Sequence, residues 1–124
     1  MPHNRPISPH LQIYTLPITG IISICHRLTG VFLSIGLIGF VTILWQIRNG
    51  MLSYLQMQSV LQFFPVKLLI AGFIYALIFH LCHGIRHLIW DVGYSFSSEM
   101  LTRYALIEVI ASLFLSIITL VVLL

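Results

Sequence analysis

Charge is scarce in this sequence: six Lys or Arg and three Asp or Glu make up 7% of its residues. A soluble domain carries roughly 25%, and so short a chain has a large surface for its volume to keep wetted. A water-exposed globular domain is therefore excluded. The basic residues Arg5, Arg27, Arg48, Lys67, Arg86 and Arg103 are dispersed along the chain. The net charge of +3 thus makes no patch of the kind nucleic acid requires, and no nucleic-acid partner is expected. Cysteine is nearly absent; Cys25 and Cys82 are too few for a disulfide framework and read as small buried apolar groups. The first 17 residues lack the apolar stretch of a cleavable signal peptide and carry Pro2, Pro6, Pro9 and Pro17 instead. The first span is expected to serve as its own insertion signal. Internal repeats and low-complexity segments are missing too.

What is abundant is apolar sequence, 59% of residues, with a mean hydropathy of +1.04. It falls into three runs of the length, about 20 residues, that a bilayer-crossing helix needs. The expected architecture is an all-α membrane protein, a single transmembrane domain of three helices in up-down-up order, forming part of a heteromeric helix bundle. The helices are expected over about 20–47, 65–90 and 103–124, after an extended, proline-punctuated polar tail over 1–17. Gly30, Ser34 and Gly39 offer small surfaces to a neighbouring helix. Arg48-Asn49-Gly50 closes the first run, and residues 48–62 read as a short polar connection. Pro65 suits the first turn of the second helix. Asp91 to Thr102 forms the second connection. Trp45 and Trp90 belong to the interfacial aromatic belts.

Basic residues near the span ends set orientation. Arg5, Arg27, Arg86 and Arg103 share one side, against Arg48 and Lys67 on the other. The N-terminus is therefore expected inside and the C-terminus outside.

Ionisable groups in a bilayer are costly and mark function. Four histidines and two arginines gather at the inner ends of two helices: His26 and Arg27 on the first, His80, His83, Arg86 and His87 on the second. His80 is the deepest, six residues or about 9 Å beyond Arg86. His80, Gly84 and His87 share a helix face. Glycine there opens a groove that a flat cofactor could use, with His80 giving imidazole nitrogen to a haem iron. His87, His26 and the arginines would lie lower, where haem propionates or a polar headgroup would sit. The bland alternatives are helix–helix hydrogen bonding for a single histidine and snorkelling for Arg27 and Arg86. Convergence of the whole group at one end favours a cofactor site. Ser23 and Arg27, an i, i+4 pair, project a hydroxyl and a guanidinium together. That suits the carbonyl of a quinone and the negative charge that develops on it. Glu108, alone in the third helix, reads as an interhelical hydrogen bonder.

Three segments carry a family resemblance: Arg5-Pro6-Ile7-Ser8-Pro9-His10-Leu11-Gln12-Ile13-Tyr14, Ser23-Ile24-Cys25-His26-Arg27-Leu28-Thr29-Gly30, and the run from His80 through Gly84-Ile85-Arg86-His87 to Asp91-Val92-Gly93. In order, spacing and three-span layout the chain resembles the cytochrome b556 membrane-anchor family of succinate dehydrogenase. The resemblance implies a non-catalytic subunit of respiratory complex II in an inner membrane, bacterial or mitochondrial, the absence of a transit peptide leaning to bacterial. Implied partners are a second small membrane-anchor subunit, an iron–sulfur subunit and a flavoprotein subunit. Implied cofactors are haem b, shared with the second membrane subunit, and ubiquinone as electron-accepting substrate. By resemblance the axial haem ligand is His80, with His83 the second choice. Ser23 and Arg27 are the quinone residues, and His26, Arg86 and His87 reach the haem propionates. An anchor of fumarate reductase, or a cofactor-free structural or assembly protein, are the alternative readings.

Overall fold

The computed structural model describes residues 15–94 and 97–123. Most of the expected tail, including the motif from Arg5 to Tyr14, lies outside them. Four α-helices follow one another: α1 (Ile18–Arg48), α2 (Met51–Leu61), α3 (Phe64–Asp91) and α4 (Ser98–Leu123). Three are long and apolar enough to cross a membrane: Ile18–Arg48, Phe64–Asp91 and Glu99–Leu123. A chain that crosses three times alternates in direction, so α1, α3 and α4 run up-down-up.

Local chemistry sets the ends. α1 starts behind Pro17, whose carbonyl accepts the amides of Gly20 and Ile21 at 2.9 and 3.2 Å. It stops at Gly50, whose φ of 97° is a left-handed conformation that glycine adopts without strain. α3 carries Pro65 in its first turn, where a missing N–H leaves no bond unmade. It ends in a Schellman turn: with Gly93 at φ 91°, the Gly93 amide donates to the Trp90 carbonyl at 2.8 Å and that of Tyr94 to Ile89 at 3.3 Å.

Two elements depart from the sequence expectation. Residues 51–61 form the helix α2 instead of an irregular connection, because Met, Leu and Gln are good helix formers and the stretch holds no proline. The third spanning helix starts at Ser98, five residues before the expected 103. Ser97 caps it: its hydroxyl accepts the Met100 amide at 3.4 Å and its carbonyl that of Leu101 at 2.9 Å. Glu99 lies in the first turn, where the helix dipole favours an anion.

α3 packs against both α1 and α4. The buried apolar set is small, Ile22, Ala76, Phe79 and Ala105, with Tyr75 and Val109 packed on it. Beside it the interior holds His83, Arg86, Glu108, Ser112 and Ser116, while Leu, Ile, Val and Phe side chains of all three long helices face outward. This inversion of the soluble pattern is what a lipid surround requires: apolar groups meet hydrocarbon, and polar groups find partners inside. Ser112 and Ser116 satisfy themselves on the carbonyls of Val109 and Ser112, at 2.9 and 2.6 Å, leaving a narrow stripe with Ala105 that lets α4 approach closely. α1 and α3 approach closely at Gly36: a Cβ there would stand 2.5 Å from the Phe73 ring, itself stacked on Phe32 at 4.1 Å. Gly39, read from sequence as a packing position, has open space around it.

Candidate functional site

The four histidines meet in space. The His26 ring of α1 stacks on that of His80 at 4.0 Å between centroids and 17° between planes. It lies 4.5 Å from His83 and 5.8 Å from His87. His83 meets His87 edge-on at 4.8 Å, and the His87 ring abuts Trp90 at 5.0 Å. His26 thus stands between His80 and the His83/His87 pair, three of the four being one helical turn apart on α3.

His80 is held by α1. Its Nδ1 lies 3.2 Å from the main-chain oxygen of His26 and 3.3 Å from Thr29 Oγ1, whose hydroxyl donates to the same carbonyl at 2.8 Å. A carbonyl only accepts, so Nδ1 carries the proton and Nε2 the lone pair. Gly30 makes room for the ring: a Cβ there would come within 3.1 Å of His80 Cε1. Gly84, on the same face of α3, leaves open space above the helix. A protonated Nδ1 tied to a carbonyl is the usual outer-sphere support of a histidine that binds metal through Nε2.

His83 is turned toward α4. Only 1% exposed, it donates from Nδ1 to Glu108 Oε1 at 2.7 Å. Arg86 reaches the other carboxylate oxygen at 3.0 Å and the Leu101 carbonyl at 2.6 Å. Its guanidinium lies over the Trp90 ring, 4.6 Å from the centroid. Arg86 and His83 therefore fasten α3 to α4 through a buried carboxylate whose charge the guanidinium offsets. Truncating one member of such a set strands the others, at about 3–5 kcal/mol.

The structure brings His26, His80, His83, Arg86 and His87 together, with His87 exposed at the edge. Ser23 is half-buried and Arg27 exposed on α1; among the described residues no hydrogen bond, ion pair or ring contact ties them to the cluster. One contributor, Thr29, was not singled out from sequence: it sits in the Ser23–Gly30 motif, one turn after His26, and that spacing was its only signal. Glu108 was read as an interhelical hydrogen bonder, but its partners were not legible. A cavity of about 510 Å³ opens between α3 and α4 beside Arg86 and Glu108, lined also by Trp90 and Tyr104 among others.

These features define a class: a three-span membrane helix bundle with an imidazole-rich polar site at one end. Residues 1–119 match the family described as succinate dehydrogenase/fumarate reductase transmembrane subunit. A protein of Rickettsia felis named succinate dehydrogenase cytochrome b556 subunit is 38% identical over 92% of this chain and 89% of its own length. One of the same name from Paracoccus denitrificans is 34% identical over 96% and 92%. The mitochondrial cytochrome b560 subunit of Sus scrofa is 34% identical over 92% of this chain and 69% of its own length. The chain belongs to the transmembrane-subunit family of succinate dehydrogenase and fumarate reductase. It is a multi-pass membrane subunit of such a complex, not the one that catalyses dicarboxylate chemistry.

Proposed function

We propose that the chain anchors succinate dehydrogenase in the membrane, binds one face of a haem b and contributes to a ubiquinone site. His80 carries this reading. The His26 carbonyl holds its Nδ1, and no hydrogen bond among the described residues occupies Nε2. His83 is the weaker candidate because it is enclosed and tied to Glu108. A haem at His80 supplies a one-electron carrier between an iron–sulfur subunit and the quinone. A second small membrane subunit would supply the other haem ligand, and the outward apolar faces of α1 and α3 give it contact surface. The flavoprotein and iron–sulfur subunits are assigned to the N-terminal, cytoplasmic side of a bacterial inner membrane.

Of the three residues paired with haem propionates from sequence, His26 and His87 keep that assignment. Arg86 is instead assigned to hold α4, since its charge is already spent on Glu108. Ser23 and Arg27 are assigned to the quinone: an exposed guanidinium one turn from a hydroxyl, at the membrane edge, can hold a ring carbonyl and the negative charge it gains on reduction.

The test is co-expression with the other three subunits and a visible spectrum of the purified complex. His80→Ala is expected to abolish the b-type bands while the subunits still co-purify; unchanged bands reject His80. Arg27→Ala is expected to lower quinone reduction by about 10- to 100-fold, the equivalent of a charged hydrogen bond of about 1.5–3 kcal/mol. Succinate oxidation by an artificial acceptor should persist, and equal loss of both activities rejects the quinone assignment.

A further inference from the structure

We propose that the cavity between α3 and α4 holds one zwitterionic phospholipid of the bilayer, with an acyl chain along its apolar wall and an ester carbonyl accepting from Arg86. The cavity measures about 510 Å³, within the range of about 300–1,000 Å³ usual for a small-molecule site. Its walls include Cys82, Ile85 and Ile89 of α3 and Met100, Tyr104 and Ile107 of α4. Apart from Cys82 these side chains are exposed, so the cavity opens outward, where lipid surrounds the bundle. At 3.6 residues per turn, Cys82, Ile85 and Ile89 lie about 140–200° round α3 from His80. The cavity is therefore on the opposite face of α3 from His80 and Gly84, away from the groove assigned to haem.

Two observations point to this ligand. Arg86 lines the cavity and is 6% exposed, yet its Nε–H is buried with no acceptor. Its other nitrogens are taken, Nη1 by Glu108 and Nη2 by the Leu101 carbonyl. An acceptor oxygen held in the cavity would complete the guanidinium. The second observation is depth. α3 ends and α4 begins on the same side, and Trp90, Tyr94 and Tyr104 line the cavity there. Such aromatic rings sit at headgroup level, where the ester groups of a phospholipid lie. Cys82 stands two and a half turns before the end of α3, about 14 Å farther into the bilayer. The apolar wall thus runs in the direction an acyl chain takes. Charge selects the headgroup class. Glu108 offsets Arg86 at 3.0 Å and Glu99 offsets Arg103 at 2.7 Å. Among the described residues lining the cavity, no uncompensated cation remains to prefer an anionic lipid.

The assembled complex is purified in detergent, stripped of loosely held lipid, and its bound phospholipids are counted by native mass spectrometry as phosphatidylcholine is added. Ile107→Trp puts bulk into the cavity and leaves Arg86 and Glu108 in place. Ile38→Trp on α1, at a residue 69% exposed, controls for lipid held on the general surface. The wild-type complex and Ile38→Trp are expected to hold one phosphatidylcholine more than Ile107→Trp, or to bind it at least tenfold more tightly. Equal binding by wild type and Ile107→Trp overturns the proposal, as does a tenfold preference for phosphatidylglycerol. Should Ile107→Trp fail to assemble, phosphatidylcholine with a diazirine in its acyl chain decides on the wild-type complex. Cross-links concentrated at residues 85–89 and 104–107 support the site, and cross-links spread evenly over the outward faces of all three spans reject it. Displacement of those cross-links by a short-chain ubiquinone also overturns it, since the cavity is then a quinone site. The haem bands, read in the same samples, report on His80 separately.

Discussion

Nδ1 of His80 on α3 and the main-chain carbonyl of His26 on α1 are joined across the helix interface at 3.2 Å. The contact lets one helix set the tautomer and ring plane of a histidine on another. Thr29, bonded to the same carbonyl at 2.8 Å, braces it from the next turn.

Gly30→Ala tests that arrangement. The new methyl would stand 3.1 Å from His80 Cε1, so the ring must give by a few tenths of an ångström. The expected outcome is a complex that still assembles, with shifted or broadened haem bands. Thr29→Val, which removes the bracing hydroxyl at constant volume, is expected to act more weakly in the same direction. Spectra identical to wild type in both would count against His80 as the ligand.

Glu108→Ala leaves His83 and Arg86 buried without their carboxylate. A loss of about 3–5 kcal/mol is expected, read as a lower denaturation temperature of the complex or as failure of α4 to insert stably. Glu108→Gln, which still accepts a hydrogen bond, should lose less. Replacing His83, Arg86 and Glu108 together by Val, Leu and Met should recover much of the stability, since an apolar set needs no desolvation of charge.

Gly36→Ala places a methyl 2.5 Å from the Phe73 ring, which is backed by Phe32. The ring has to leave its stack, and about 1–3 kcal/mol of destabilisation is expected. Phe73→Leu in the same chain should restore stability, as thermal melts of the double variant would show. At Gly39, where nothing lies within 4 Å, alanine should be neutral.

Arg103 and Glu99 form an i, i+4 pair at 2.7 Å, with both side chains 74% exposed. Arg103→Gln should change stability by less than about 0.5 kcal/mol, since water and salt screen such a pair. A larger loss in a melt at physiological salt would show that a partner covers this end of α4.

The three spans, the close of the first at Gly50, the place of Pro65 in the second, and the polar residues at one end were legible because each rests on local composition. α2 was not, because a polar stretch of good helix formers reads the same in a loop. The early start of α4 turned on one serine cap. Within the cluster, that His80, Gly84 and His87 share a face follows from helix geometry alone.

The sequence by itself determined that this chain lives in a membrane, since so few charges cannot coat a soluble domain and three apolar runs have the length of a bilayer. It also determined that imidazoles and guanidinia collect at one end. Tertiary structure alone decided how they divide: His80 faces α1, His83 and Arg86 face α4, and His26 stands between the groups. Helix periodicity puts residues on faces, but which neighbour a face meets depends on crossings set by small residues. Gly36 under Phe73 and the Ala105–Ser112–Ser116 stripe set those crossings. Such contacts join residues far apart in the chain, so no local pattern records them.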